Sequence, residues 1–362
     1  MQVKGAVSLW LRKTLRPALR EFSYYTSFPV VRPTNVVIYI TDRCQLRCTT
    51  CSKWTTPDAI QDKELTTSEW KKILLDLKNW LGFYAVFFCG GEPFLRKDLL
   101  ELIDFAAEQN IPSSVITNGY NIEPFAEQIV QSRLASLHVS LNGITPEIHD
   151  VTRGTPGSLE NTMSALLKIH QLKKQRRGEK LWLNIETILM PQNVQEILPL
   201  IAWAKEHELD SIDVQILEDT QTFYSFSRGK SVQKPDDYQR PSSLEQPWKD
   251  GKGELLLDVL DELIRQKREG GFIATPEAQL HATKTYLRNP DDILRIQCRV
   301  GVDSFIIDPY GNVRLCMNMS PIGSLLEESP KELWFSRSAR FQRKNIKKCK
   351  MFCRLLTCNF SD

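Results

Sequence analysis

A chain of 362 residues, 41% hydrophobic and 25% charged, can bury one large core and a smaller unit, which excludes a disordered or fibrous class. Its net charge of +3 makes no electrostatic case for nucleic acid, and none is expected as a partner. No apolar run approaches the roughly 20 residues of a membrane span and no secretory segment follows the start, so the expected location is the cytoplasm, where thiols stay reduced.

Residues 1 to 22, MQVKGAVSLWLRKTLRPALREF, set Val3, Val7, Trp10, Leu11, Leu15, Ala18 and Phe22 at near-helical spacing beside Lys4, Arg12, Lys13, Arg16 and Arg20. Two readings stand for this 1–35 segment: a peripheral contact with an anionic membrane, or a helix packed on the body and interrupted at Pro17. Strand and helix patterns then alternate. Strands are predicted at 36–41, 83–89, 111–117, 135–141, 181–189 and 211–217, and helices at 66–80, 97–109, 122–132, 158–175 and 194–207. The first helix opens on Thr or Ser, in Thr66-Thr67-Ser68, with an acid close behind, a helix-start signal. Such alternation implies parallel pairing through right-handed crossovers, in a doubly wound sheet or a full or partial barrel, with chemistry at the carboxyl ends of the strands. Residues 218–297 read as a long linker followed by a helix at 254–268 capped by Gly270-Gly271. From Cys298 the pattern is short strands, a hairpin turn at Pro309-Tyr310-Gly311-Asn312, a helix near 330–346, and cysteines.

Eight of the nine cysteines fall into two groups, three at 44–51 and five at 298–358, with Cys89 alone in an apolar strand as a small core residue. Cys44, Cys48 and Cys51 begin where the first predicted strand ends. Their C-x3-C-x2-C spacing suits three thiolates around an iron–sulfur cube with one iron left open, and an open position is how a metal site binds a reactant. The competing reading is zinc completed by His138 or His149, in a zinc-binding interaction protein with a degenerate barrel. Only five histidines occur, none in a matching pair.

The cysteine motif and its surroundings resemble the radical S-adenosylmethionine (radical SAM) family. That resemblance implies a partial (βα)6 TIM-like barrel over 36–217, a SAM-binding [4Fe–4S] cluster on Cys44, Cys48 and Cys51, and hydrogen abstraction by a 5′-deoxyadenosyl radical. The aromatic residue that often precedes the third cysteine is here Thr50, with Trp54 as a substitute for packing on adenine. The Gly90-Gly91-Glu92-Pro93 turn after the second strand matches the segment that holds the methionine amino group. Ser140 and Asn142 match the ribose-contacting segment, Asn118 fits the same map after the third strand, and Arg153 is a candidate for the SAM carboxylate. Each has a plain alternative as a turn or surface residue.

Cys298, Gly311 and Cys316 form C-x12-G-x4-C across the predicted hairpin, and Cys349, Cys353 and Cys358 follow. This resembles the SPASM extension or the shorter twitch domain, giving a small cysteine-rich α+β domain over 298–362. Five cysteines imply one auxiliary [4Fe–4S] cluster on Cys298, Cys316, Cys349 and either Cys353 or Cys358, with a zinc knuckle as the alternative. The cysteine left over is a candidate hydrogen donor. Residues 337–354 carry eight Lys or Arg and no acid, cations suited to stabilising a reduced cluster or receiving an acidic carrier. Glu186, Asp213, Gln215 and Glu218 are candidate substrate or adenosine contacts.

The expected function is a radical SAM oxidoreductase or isomerase supplied by a flavodoxin or ferredoxin. Its expected substrate is a sugar, nucleotide or lipid-linked small molecule that is oxidised, epimerised or rearranged. A peptide-modifying maturase or epimerase is the alternative, for which a leader-binding module is expected; none is evident in residues 1–35.

Overall fold

The computed structural model describes residues 15–51, 63–176, 180–217, 248, 251–356 and 359–360. Six parallel strands, β1 (Asn35–Thr41), β2 (Ala85–Gly90), β3 (Ser113–Thr117), β4 (Ser136–Ser140), β5 (Trp182–Leu189) and β6 (Ser211–Ile216), lie side by side in chain order. This is a partial (βα)6 TIM-like barrel. Alternation within β1 explains how it forms: Val36, Ile38 and Ile40 are buried against helices, whereas Val37 and Tyr39 face the half-open interior.

Helix α1 covers residues 15–26. The crossovers are α2 (Thr67–Leu81), α3 (Leu99–Glu108), α4 (Ala126–Gln131), α5 (Pro146–Arg153), α6 (Ser158–Gln175) and α7 (Ile197–Glu206). Thr66 and Glu69 close a capping box on α2, with Glu69 N donating to Thr66 Oγ1 at 3.3 Å and Thr66 N to Glu69 Oε2 at 2.7 Å. Helix α6 buries Leu159, Thr162, Ala165, Leu166 and Ile169, the i, i+3, i+4, i+7 stripe that seats a helix on a sheet.

Beyond β6 come α8 (Lys252–Gly270) and α9 (Glu277–Arg288). Gly271 caps α8 in the left-handed region at φ 69°, as the Gly-Gly pair predicts. The segment after it runs beside β6: Ala274 N donates to Ile212 O at 2.7 Å and Ile212 N to Phe272 O at 3.0 Å, which pairs backbone that would otherwise be an open edge.

The C-terminal unit is continuous with the barrel. After α10 (Val300–Asp303), strand β7 (Ser304–Ile307) pairs parallel with β1, and β8 (Asn312–Arg314) and β9 (Gly323–Ser324) extend the same sheet antiparallel. Asp308 Oδ1 accepts from Tyr310 N and Asn312 N at 3.0 and 2.9 Å, and Gly311 has φ +87°, so the predicted hairpin turn is present.

Two features depart from the sequence expectation. Helices α5 and α9 were not predicted, because the faces they bury include His149, Thr152 and Arg153, or Gln279 and Thr283, which hides an apolar period. The single helix expected near 330–346 is two, α11 (Pro330–Phe335) and α12 (Arg337–Lys348), broken at Ser336; that residue is extended and accepts from Ala339 N at 3.1 Å. Helix α1 is docked on the C-terminal unit, as the packed-helix reading of this segment expects. Arg20 Nε donates to both Asp303 carboxylate oxygens at 2.9 and 2.8 Å, and Gln297 Nε2 donates to Tyr25 Oη at 2.9 Å. Arg20 is therefore turned inward, not part of an outward basic face, and residues 1–14 lie outside the described residues. No described helix is long and apolar enough to cross a membrane.

Candidate active site

Strand β1 delivers the cysteine loop to the carboxyl edge of the sheet, where two neighbouring elements clip it in place. On one side, Gly91 N donates to Thr41 O at 2.8 Å and Glu92 N to Arg43 O at 2.7 Å. On the other, Arg47 N donates to Arg153 O at 3.2 Å and Thr49 N to Thr152 O at 2.9 Å. These contacts explain the glycines. A Cβ on Gly90 would lie 2.3 Å from Thr41 O, and one on Gly91 2.1 Å from Arg43 O. The sequence reading had the Gly-Gly pair admit a ligand; its nearest neighbour is the backbone of the cysteine loop itself.

Glu92 is buried, and its carboxylate accepts from Thr117 Oγ1 at 2.8 Å, Asn118 N at 2.8 Å and Phe94 N at 3.1 Å. Burial pushes its pKa up to about 7, opposed by those hydrogen bonds and by Arg153. The side chain thus ties the β2 turn to the end of β3. Asn118 is carried by that tie towards the cysteines, with Nδ2 3.7 Å from Cys44 Sγ and Oδ1 accepting from Gln45 Nε2 at 3.3 Å. Pro93 starts a single buried turn at Pro93–Leu95.

Helix α5 supplies Arg153, buried with Nη1 3.9 Å from Cys48 Sγ and with Nε lacking a partner among the described residues. Burial first, then the Arg153 charge, pushes His149 down to about 2, so its ring is neutral and Nδ1 accepts from Asn142 N at 3.1 Å. Asn142 is enclosed: Nδ2 donates to Thr152 Oγ1 at 3.3 Å and Oδ1 accepts from Ile188 N at 3.4 Å. Its side chain braces β4, α5 and β5 together, a structural use the ribose expectation did not include. Ser140, two residues earlier, is half-buried on the interior face of β4. Thr50 is buried, and Trp54 lies outside the described residues.

The donor set fits an iron–sulfur cluster. Burial first, with the Glu92, Cys48 and Cys51 charges adding to it, pushes the Cys44 thiol up to about 11, so the three sulfurs share one low-dielectric site beside the buried Arg153. No three His, Cys, Asp or Glu side chains among the described residues group as a lone metal ion requires. A cluster makes no such demand, since each thiolate takes a different iron.

Within the barrel, β4, β5 and β6 bring together a polar set of which the sequence reading named only part. His138 Nδ1 lies 2.8 Å from Glu186 Oε1 and its Nε2 3.1 Å from Ser136 Oγ. Asn184 Nδ2 donates to the same Glu186 oxygen at 3.0 Å, and Thr275 Oγ1 to Asp213 Oδ1 at 2.5 Å. His138 was weighed only as a zinc ligand; the register that sets it beside Asn184 is not visible in one strand's sequence. Gln215 is half-buried on the same face of β6, and Glu218 lies outside the described residues.

Burial, then the Glu186 charge, pushes Asp213 up to about 7. A carboxyl whose folded pKa is raised favours folding fully below its unfolded value near 3.8 and loses that advantage as pH rises through 7. Asp213→Asn removes the ionisation, so its melting temperature relative to the parent should rise between pH 5 and pH 8. The expected change is on the order of a few kcal/mol, and calorimetry at the two pH values checks it; parallel curves would mean Asp213 ionises normally.

In the C-terminal unit Cys298, Cys316 and Cys349 lie within electrostatic reach of one another, and Asn318 links Cys353 to the Cys316 turn. Burial pushes Cys298 up to about 11 and also raises Cys316 and Cys349; the Cys349 charge raises Cys298 further towards that value, and both raise Cys316. Asn318, two residues past Cys316, has Nδ2 3.8 Å from Cys353 Sγ, and its buried Oδ1 has no partner among the described residues. Cys358 lies outside the described residues. Of the basic run, Arg354 is placed against this site: Nη1 donates to Leu294 O at 2.7 Å and Nη2 to Cys349 O, and its charge lowers Cys298 and Cys349. Arg343 instead stacks on Trp334 at 4.3 Å, and Arg337, Arg340, Lys344 and Lys348 are exposed.

Residues 38–204 match the radical SAM superfamily, and residues 298–359 match SPASM, an iron–sulfur cluster-binding domain. Over 183 residues the chain is 30% identical to a PqqA peptide cyclase of Bradyrhizobium diazoefficiens, covering 50% of this chain and 46% of that protein. It is 32% identical over 191 residues to an Fe-coproporphyrin III synthase of Methanosarcina barkeri, covering 52% and 45%. The chain therefore spans about half the length of the curated relatives it matches. Among solved structures, Streptococcus suis SuiB bound to its precursor peptide SuiA superposes with a TM-score of 0.62 at 17% identity, over 89% of this chain and 68% of that one. At that identity the likeness concerns the fold.

Proposed function

This chain is a radical SAM enzyme with a C-terminal SPASM domain, a SAM-binding [4Fe–4S] cluster and an auxiliary cluster, and from that premise we propose that it modifies a peptide. The observation that carries the catalytic part is the cysteine loop, clipped between the Gly91-Glu92 turn and α5 with Arg153 directed at Cys48. Cys44, Cys48 and Cys51 would hold the SAM-binding cluster, which supplies the electron that cleaves SAM to a 5′-deoxyadenosyl radical. Arg153 offers a buried guanidinium to negative charge at that site, and Asn118 offers an amide donor beside Cys44. Glu92 holds Asn118 in place by accepting from its backbone N. Cys298, Cys316, Cys349 and Cys353 would hold the auxiliary cluster. A low-potential flavodoxin or ferredoxin is the fitting reductant.

Similarity to a peptide cyclase, and a fold shared with an enzyme solved with its precursor peptide, support a peptide substrate over the small molecule expected from the sequence. Similarity to an Fe-coproporphyrin III synthase keeps a small-molecule reading as the second. The test is anaerobic reaction of the reconstituted enzyme with SAM, reductant and deuterated short peptides encoded beside its gene. Deuterium in 5′-deoxyadenosine together with a mass change in the peptide is expected. Turnover of SAM with every such peptide unchanged, and a changed small molecule instead, would overturn the peptide reading.

A further inference from the structure

Large apolar side chains left exposed one at a time are ordinary, whereas a contiguous set marks a binding surface. Of the thirteen exposed large hydrophobic residues among the described ones, eight fall in two short stretches: Leu15, Leu19, Phe22, Tyr25, Phe28 and Val30, and Phe335 with Phe341. The two stretches touch, since the Phe28 and Phe335 rings lie 6.3 Å apart and Trp334 Nε1 donates to Val31 O at 3.2 Å.

The orientation of α1 is fixed from its other side. Arg20 pairs with Asp303, Glu21 pairs with Arg299, and Ser23 Oγ accepts from Val30 N at 3.0 Å, folding the chain back beneath the helix. Leu15, Leu19 and Phe22, spaced i, i+4, i+7, are left facing away from the body, with Phe22 53% exposed. Helix α12 is joined to α1 through Lys347, whose Nζ donates to Tyr25 O at 2.8 Å and lies 6.0 Å from the Tyr24 ring centroid. Its exposed face carries Arg337, Arg340, Lys344 and Lys348 around Phe341, itself 56% exposed, and no acid occurs between 337 and 354.

We propose that this apolar stripe with its basic flank is a peripheral membrane-binding surface that rests on anionic lipid headgroups, α1 entering the acyl boundary and α12 pairing with the headgroups. Charge complementarity selects the occupant: an apolar strip beside a face of exposed cations with no ion-pair partner among the described residues suits an anionic bilayer surface, where apolar burial and headgroup attraction add. The cations come from α12 rather than from Arg20, which is spent on Asp303. This surface is distinct from the barrel mouth, and the inference stands whether the substrate is a peptide or a small molecule.

The test is flotation of the full-length reconstituted protein with phosphatidylcholine vesicles that contain or lack phosphatidylglycerol. The protein is expected to float with the anionic vesicles at low salt, to be released at high salt, and to ignore the neutral ones. Leu19→Ser with Phe22→Ser should lower partitioning at least about tenfold, and Arg340→Gln with Lys344→Gln about thirtyfold. Iron content and circular dichroism report whether each variant is folded, and if the apolar pair disrupts the chain, the charge pair decides. Failure of the parent protein to float with anionic vesicles, or parental flotation by either folded variant, overturns the proposal. So does a dimer in light scattering that Leu19→Ser with Phe22→Ser dissolves, which would give the stripe to a second copy. A charge variant that impairs reduction by flavodoxin without altering flotation would give the basic face to an electron donor.

Discussion

Replacing Cys44, Cys48 and Cys51 together by Ala should abolish 5′-deoxyadenosine formation and leave about four irons per chain against about eight in the parent, the count for two four-iron clusters. The separation follows from the fold. The loop after β1 and the cysteines of the C-terminal unit are attached to different elements, and no contact between the two cysteine groups is needed for either to form. Adding Cys353→Ser should remove the remaining irons, because Cys353 shares Asn318 with the Cys316 turn, whereas adding Cys358→Ser should leave them. In an enzyme with Cys44, Cys48 and Cys51 intact, Cys358 is then the thiol to test as hydrogen donor: a Cys358→Ser variant that consumes SAM and accumulates no product would identify it. Iron analysis and quantified 5′-deoxyadenosine check each step. Undiminished SAM cleavage by the triple variant would remove Cys44, Cys48 and Cys51 from the catalytic site.

Gly91→Val should lose SAM cleavage and the iron of the first cluster together. The sequence expectation was different: a turn that admits the methionine end of SAM would, once blocked, weaken SAM binding and leave the cluster assembled. The structure changes the expectation because a Cβ on Gly91 would stand 2.1 Å from Arg43 O and 2.9 Å from the Asp42 carbonyl carbon, contacts with backbone that no side-chain rotation relieves. The loop carrying Cys44 must move, breaking the Glu92 N to Arg43 O bond. Overpacking of this kind costs about 1–3 kcal/mol of stability, small beside the loss of a ligand set, so the chain should stay folded with about four irons. Calorimetry, iron content and SAM titration together distinguish the cases. A variant with both clusters intact and weakened SAM affinity would return the glycine to the ligand-admitting role.

Much of this protein was legible before its fold was known. Short strand-like runs alternating with helical stretches marked all six barrel strands, and the Thr/Ser start signal of α2 and the Gly270-Gly271 cap of α8 were local enough to read directly, since each depends on residues a few positions apart. The two cysteine groups gave the cofactor class for the same reason. What was lost were helices that bury polar residues. His149, Thr152 and Arg153 make α5 look like surface chain, yet that helix holds one side of the cysteine loop and supplies the guanidinium beside Cys48.

The sequence by itself determined the alternation of strands and helices, the parallel sheet that follows from it, and the ligand chemistry of the cysteines, because these are set by spacing along one chain. The tertiary structure alone decided that Gly90 and Gly91 face the cysteine loop, that Asn142 is a brace, and that His138 sits with Glu186 near Asp213 inside the barrel. It also decided that β7 joins β1 in one sheet, and that Arg20 turns inward while Leu15, Leu19 and Phe22 turn out. The physical reason is common to all of them. Each depends on the register between strands or on which side of a helix another element occupies. Those are pairings between residues far apart in sequence, chosen by the competition to bury the whole core, and no local pattern records their outcome.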